Sequence, residues 1–249
     1  MANPTLREDV FEAYNNNPHS LGVEKTMTET GTLVKTLVLG ILMSLSAFYT
    51  WYLVGAGFAD KANILTTVGA IGGFITAMII CFTPKNKYLS LSTSIYALLE
   101  GLFLGAVSAM FNTAYPGIVT QAVLGTILTI FAMYIAYSTK LIRATNVVVK
   151  TVVIATAAVC GIYVIQILLS FFGASIPQLF SNSPIGIGFS ALVCIIAAFN
   201  LILDFEFIER FKGFAPDYME WYGAFSLMVT IVWLYMEILR LLAKINSRR

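Results

Sequence analysis

The chain has 249 residues, 58% of them hydrophobic and only 11% charged, where ordinary soluble domains are roughly half apolar and a quarter charged. The formal net charge is only +2, and the lysines and arginines are dispersed between apolar runs, which excludes a basic nucleic-acid-binding face. What remains is an all-α polytopic membrane protein.

Residues 1–32 read as a polar cytoplasmic N-terminal tail, with Asn15, Asn16 and Asn17 in a row and Pro18 closing any helix. They lack the positive start, short apolar core and small-residue cleavage site of a removable secretory signal. His19, the one histidine, has no His or Cys near it in sequence and is expected to face solvent.

A hydrocarbon core about 30 Å thick takes about 20 helical residues to cross. Seven runs qualify, at 33–57, 63–83, 88–111, 117–138, 147–172, 185–205 and 219–243, so that 33–243 forms a seven-helix transmembrane domain and 244–249 a short basic C-terminal tail. The connections are short, and the sixth is a charged turn over 206–218. Cys81, Cys160 and Cys194 all fall inside apolar runs and read as packing residues, so no metal site or cofactor is expected. Gly69 with Gly73, and Gly101 with Gly105, are small residues four apart that let helices approach closely. Trp51, Tyr52, Tyr115, Trp221 and Tyr222 lie near span ends, where aromatic rings suit the membrane interface.

The positive charges orient the chain. The second, fourth and sixth connections and their flanks hold Lys85, Lys87, Lys140, Arg143, Lys150, Arg210 and Lys212, whereas the first, third and fifth hold only Lys61. Positive loops stay cytoplasmic, which places the N-terminus there as well. Seven full crossings then leave Arg240, Lys244, Arg248 and Arg249 on the far side, against the same rule. Seven crossings are expected from the length of the last run, with a re-entrant last segment as the alternative.

Three carboxylates interrupt apolar runs, where an ionised group is costly to bury. Glu100 lies about 12 residues into the third span, roughly 18 Å along a helix and near the midplane. Asp204 lies within about two turns of the cytoplasmic end of the sixth and is either a titrating site or a group paired with a loop cation such as Arg143 or Arg210. Glu237 stands three residues before Arg240, a spacing that permits a local ion pair.

The runs FNLILDFEFIER, LLEGLFLGAVSAMF and YMEWYGAFSLMVTIVWLYMEILRLL resemble the sixth, third and seventh helices of the Bax inhibitor-1 family, in the bacterial branch called Bax inhibitor-1-like. The resemblance implies a last helix that is central and wrapped by the other six. It also implies a pH-sensitive calcium leak controlled by two aspartates, one on the sixth and one on the seventh helix, that share a proton. Asp204 falls on the first position, and Thr230 stands where the second aspartate is expected.

The expectation is a cation path gated by Asp204, with Glu100 or Glu237 as second acidic groups, Arg143 or Arg210 as closing partner, and only a weak interaction with calcium. Its partners are the lipid bilayer and a cation. A second expectation is a regulator that moves no ion and binds other membrane proteins, in stress, cell-death or membrane-protease control; a third is a proton-coupled transporter. No GxSxG or HExxH motif is present, and an intramembrane enzyme is not expected. Compact loops suit a bacterial inner membrane.

Overall fold

A computed structural model describes residues 25–84, 88–173 and 176–248. Seven long helices make up nearly all of it: α1 (Glu29–Gly55), α2 (Ala59–Phe82), α3 (Leu89–Ala114), α4 (Ile118–Ser138), α5 (Asn146–Phe171), α6 (Pro184–Phe211) and α7 (Glu220–Asn246). A single helical turn, Pro177–Phe180, precedes α6, and a 3-10 turn, Asp217–Met219, leads into α7. All seven are long and apolar enough to cross a membrane. This is an all-helical, multi-pass membrane protein, and α7 is one unbroken helix. Among the sequence expectations, His19, Lys85, Lys87 and Arg249 lie outside the described residues.

The helix ends differ from those that hydropathy suggests. The first helix begins at Glu29, where Thr28 Oγ1 accepts a hydrogen bond from Gly31 N at 2.9 Å and caps its first turn. The stretch 206–211, expected as a charged turn, continues α6 for six residues. It is amphipathic: Phe207, Ile208 and Phe211 are buried while Glu206, Glu209 and Arg210 are exposed, so its charges mark a solvated face of helix. The last helix likewise runs on to Asn246, so Lys244 belongs to it and not to a tail.

The helices gather into two compact units. One contains the described residues before Tyr115 together with Phe207–Val229. Here α3 packs against α1 and α2 through the small residues that the sequence singles out. A Cβ on Gly101 would run into the Met43 carbonyl and the Ser46 hydroxyl, and one on Gly105 into the Ala47 carbonyl. A Cβ on Gly69 would lie 2.6 Å from the Leu99 carbonyl oxygen. Backbones this close leave no room for a side chain, so Gly101→Leu is expected to cost about 1–3 kcal/mol through overpacking, read as a lower unfolding temperature in detergent.

In the same unit the segment before α1 is stitched to the α6–α7 connection. Met27, 1% exposed, donates its N–H to Ala215 O at 2.7 Å and accepts from Gly213 N at 2.9 Å, while Asp217 N donates to Lys25 O at 3.2 Å. Gly213 holds φ +79°, a left-handed turn that glycine adopts without a Cβ penalty. Glu220, at the start of α7, accepts from Thr28 N and Thr28 Oγ1 at 2.8 Å each and from Lys35 Nζ at 2.7 Å. Lys35 is thus held by a buried carboxylate. Lys212 Nζ bonds Glu29 Oε1 at 2.5 Å, which raises the ammonium's pKa above its ordinary value.

The second unit comprises Tyr115–Glu206 and Thr230–Arg249, so it holds α4, α5, most of α6 and the second half of α7. Val152 of α5 and Leu203 of α6 form an apolar core joined by Val148, Val149, Val153 and Phe199. Tyr134 and Phe205 meet edge to face at 5.5 Å, which brings α4 against the same stretch of α6.

Candidate functional site

Of the two buried carboxylates of the second unit, Glu237 belongs to the half of α7 that begins at Thr230, and Asp204 meets it from α6. Asp204 sits one turn after Asn200 on the same face of α6, since residues four apart superpose on a helix. It is 0% exposed, and Thr230, at 3%, donates its hydroxyl to Asp204 Oδ2 at 2.5 Å. That length falls in the range of charge-assisted O–H···O⁻ bonds. Asn200 donates Nδ2 to Thr156 Oγ1 of α5 at 2.8 Å and to Ile196 O at 2.9 Å. Asp204 is therefore flanked by Leu203 in an apolar wall and by a satisfied amide one turn below. This is a low-dielectric setting in which an anion depends on the donors around it.

Thr230 is thus the α7 residue that meets Asp204 across the helix pair. A hydroxyl can donate to a carboxylate but carries no charge of its own, so this contact puts one formal charge where two carboxylates would put two.

Glu237 stands seven residues beyond Thr230, about 10 Å further along α7. It is paired with Arg240, as the i, i+3 spacing predicts, with Nη1 at 2.8 Å from Oε1. The surroundings go beyond that expectation. Tyr163 of α5 donates its hydroxyl to the same Oε1 at 2.8 Å, and Arg240 Nη1 donates to the Tyr163 hydroxyl at 2.8 Å. The guanidinium also lies over the Tyr163 ring, 5.3 Å from its centroid. Glu237 itself is 1% exposed, so the pair is interior on the acid side and only partly open on the arginine side, which is 35% exposed. One turn later, Lys244 is 5% exposed and donates to Leu179 O and Gly186 O at 3.0 Å each, fastening the end of α7 to the connection before α6 and to the first turn of α6 itself.

The remaining sequence candidates lie elsewhere. Glu100 is half-buried in the first unit and faces Gly73 of α2, where an added Cβ would come within 2.9 Å of Oε2, so that glycine makes room for the carboxylate. Arg143 is exposed in the α4–α5 connection. Arg210 is exposed in the last turn of α6 with its guanidinium 5.7 Å from the Phe211 ring centroid. Tyr163, Asn200, Thr156 and Lys244 are residues that the sequence reading did not select. Lys244 had a signal, its i+4 and i+7 spacing from Arg240 and Glu237; the other three had none within their own runs. Among the described residues no three His, Cys, Asp or Glu side chains come together as a metal centre.

A family model described as Bax inhibitor 1 like matches residues 3–247 of this chain. Comparison with curated proteins gave no match, and neither did comparison with solved structures.

Proposed function

The chain belongs to the Bax inhibitor 1 like family, and from that premise we propose that it is a cation leak protein, with calcium the foremost candidate ion, in which Asp204 is the pH-responsive gate. The observation that carries this reading is a fully buried aspartate that accepts a hydrogen bond from the hydroxyl of Thr230 on the neighbouring helix. An ionised Asp204 keeps its donor and holds α6 to α7 through a charge-assisted bond; a protonated Asp204 loses the charge that makes that bond strong. The strength of the α6–α7 contact thereby follows pH, and the contact lies in the unit that contains both carboxylate clusters. The N-terminus is assigned to the cytoplasm by the distribution of Lys and Arg, and the compact loops suit a bacterial inner membrane.

Thr230 is also the observation that favours a second reading. With a hydroxyl at the position where a second aspartate is expected, the pocket has less negative charge to attract a cation. The second reading is a non-transporting regulator that binds other membrane proteins.

Calcium flux into liposomes separates the two. Wild-type protein is expected to give flux that varies from acidic to neutral pH, and Asp204→Asn to abolish that variation, because an amide does not titrate. Flux with the same pH profile in both would remove Asp204 as the gate. No flux above empty liposomes at any pH would leave the regulator reading.

A further inference from the structure

Between Glu100 and Asp204 the sequence holds no Asp or Glu, and its only Lys and Arg residues are Lys140, Arg143 and Lys150. All three are exposed, two in the connection between Ser138, where α4 ends, and Asn146, where α5 begins, and the third in the opening turns of α5. Among the described residues none of their side chains makes a hydrogen bond or an ion pair. Cations elsewhere are engaged: Lys35 with Glu220, Lys212 with Glu29 and Arg240 with Glu237. The second unit's three carboxylates each have another partner: Thr230 for Asp204, Arg240 and Tyr163 for Glu237, and the Tyr137 hydroxyl, at 3.1 Å, for Glu206. The countercharge for these three cations comes from outside the chain.

The corner is a fixed turn. Lys140 N donates to Tyr137 O at 2.9 Å and Ile142 N to Ala136 O at 3.0 Å, and Lys140 holds φ +60°, a left-handed conformation uncommon outside glycine. Leu141, between Lys140 and Arg143, is 81% exposed. On α5, Val147 and Ile154 are 73% and 70% exposed, and Lys150 shares their face at helical i+3 and i+7 spacing from Val147. In a membrane-spanning helix an exposed apolar face meets lipid tails. Lys150 lies about 6 Å along α5 from Asn146, so its ammonium reaches along that face to the headgroups.

Holding a loop on one side of a membrane needs only positive charge in the loop. It does not call for a cation on a lipid-facing stripe of helix, or for a bare leucine between two cations. Both features suit a molecule with anionic oxygens at headgroup level and an apolar body beside them. A phosphate diester accepts from lysine as a point charge and from arginine through a two-pronged fork.

We propose that the α4–α5 corner binds an acidic phospholipid of the surrounding leaflet, with its phosphate held by Lys140, Arg143 and Lys150 and its chains against Leu141, Val147 and Ile154. The site is separate from Asp204 and stands independently of ion flux.

Native mass spectrometry of the full chain, released from vesicles of equal parts phosphatidylglycerol and phosphatidylcholine, reads which lipid stays bound. The wild type is expected to retain phosphatidylglycerol in excess. Combining Lys140→Gln, Arg143→Gln and Lys150→Gln is expected to lower that excess by about fivefold or more, fivefold being the contribution of one basic residue near an anionic surface. Combining Lys25→Gln, Lys61→Gln and Arg248→Gln, at exposed cations elsewhere, makes the same change in net charge and is expected to leave the excess as in the wild type. Equal losses in the two triple variants, or no excess in the wild type, overturn the proposal. If the corner variant does not fold, Lys150→Gln alone decides, and an unchanged excess overturns it. Added inorganic phosphate is expected to leave the lipid in place; phosphate that displaces it as readily as further phosphatidylglycerol does would mark a free-anion site and overturn the lipid assignment.

Discussion

Thr230→Val is expected to lower the stability of the folded protein by about 1.5–3 kcal/mol, the range for losing a hydrogen bond to a buried charged group. Valine keeps the shape and branching of threonine, so the substitution removes the hydroxyl and little else. Asp204 at 0% exposure would then lack the donor that lies 2.5 Å from Oδ2. Thr230→Ser restores an oxygen at the same place and is expected to recover more than half of the loss. Thermal unfolding in one detergent at neutral pH checks all three proteins, and the contrast should shrink at acidic pH, where a protonated Asp204 no longer needs a donor for its charge. A valine variant as stable as the wild type at neutral pH would mean that the contact contributes nothing and that Asp204 is held by other groups.

The seven helices were legible because each run of about 20 apolar residues has one economical solution in a bilayer, a helix that satisfies its own backbone. The packing glycines were legible for a related reason: small residues four apart in an apolar helix have few uses besides close approach, and Gly101 and Gly105 meet the α1 backbone accordingly. Hydropathy failed where a helix left the apolar regime. At 206–211 an amphipathic turn buries Phe207, Ile208 and Phe211 while Glu206, Glu209 and Arg210 face out, and at Lys244 a cation is buried on backbone carbonyls. Averaging along the sequence reports neither, because each depends on which face of the helix a residue occupies.

The site was legible only in its local half. Glu237 and Arg240 share one helix, so their spacing alone predicts the pair. Tyr163 lies 74 positions from Glu237 and completes the cluster only because α5 packs beside α7 within one unit. The same holds for Met27, whose bonds to Gly213 and Ala215 tie the start of the described chain to a connection late in the sequence. Long-range polar contacts of this kind leave no periodic trace. Arg143 and Arg210 were expected as loop cations able to pair with Asp204, and both are exposed.

Arg240→Gln is expected to destabilise the protein by about 3 kcal/mol at neutral pH, the low end of the cost of breaking a buried ion pair, because the guanidinium is 35% exposed. Most of that cost belongs to what is left behind: Glu237, 1% exposed, would keep a charge with the Tyr163 hydroxyl as its remaining side-chain donor among the described residues. The prediction therefore has a second arm. Glu237→Gln in the same background removes the stranded charge, so the double variant is expected to be more stable than Arg240→Gln alone, by roughly 1–2 kcal/mol, even though it carries one more substitution. A cycle of four proteins measured by chemical unfolding gives the coupling directly. Simple additivity, with the double variant losing the sum of the two single losses, would show that Glu237 and Arg240 do not interact in solution, and the cluster would then have no claim to hold its carboxylate in place.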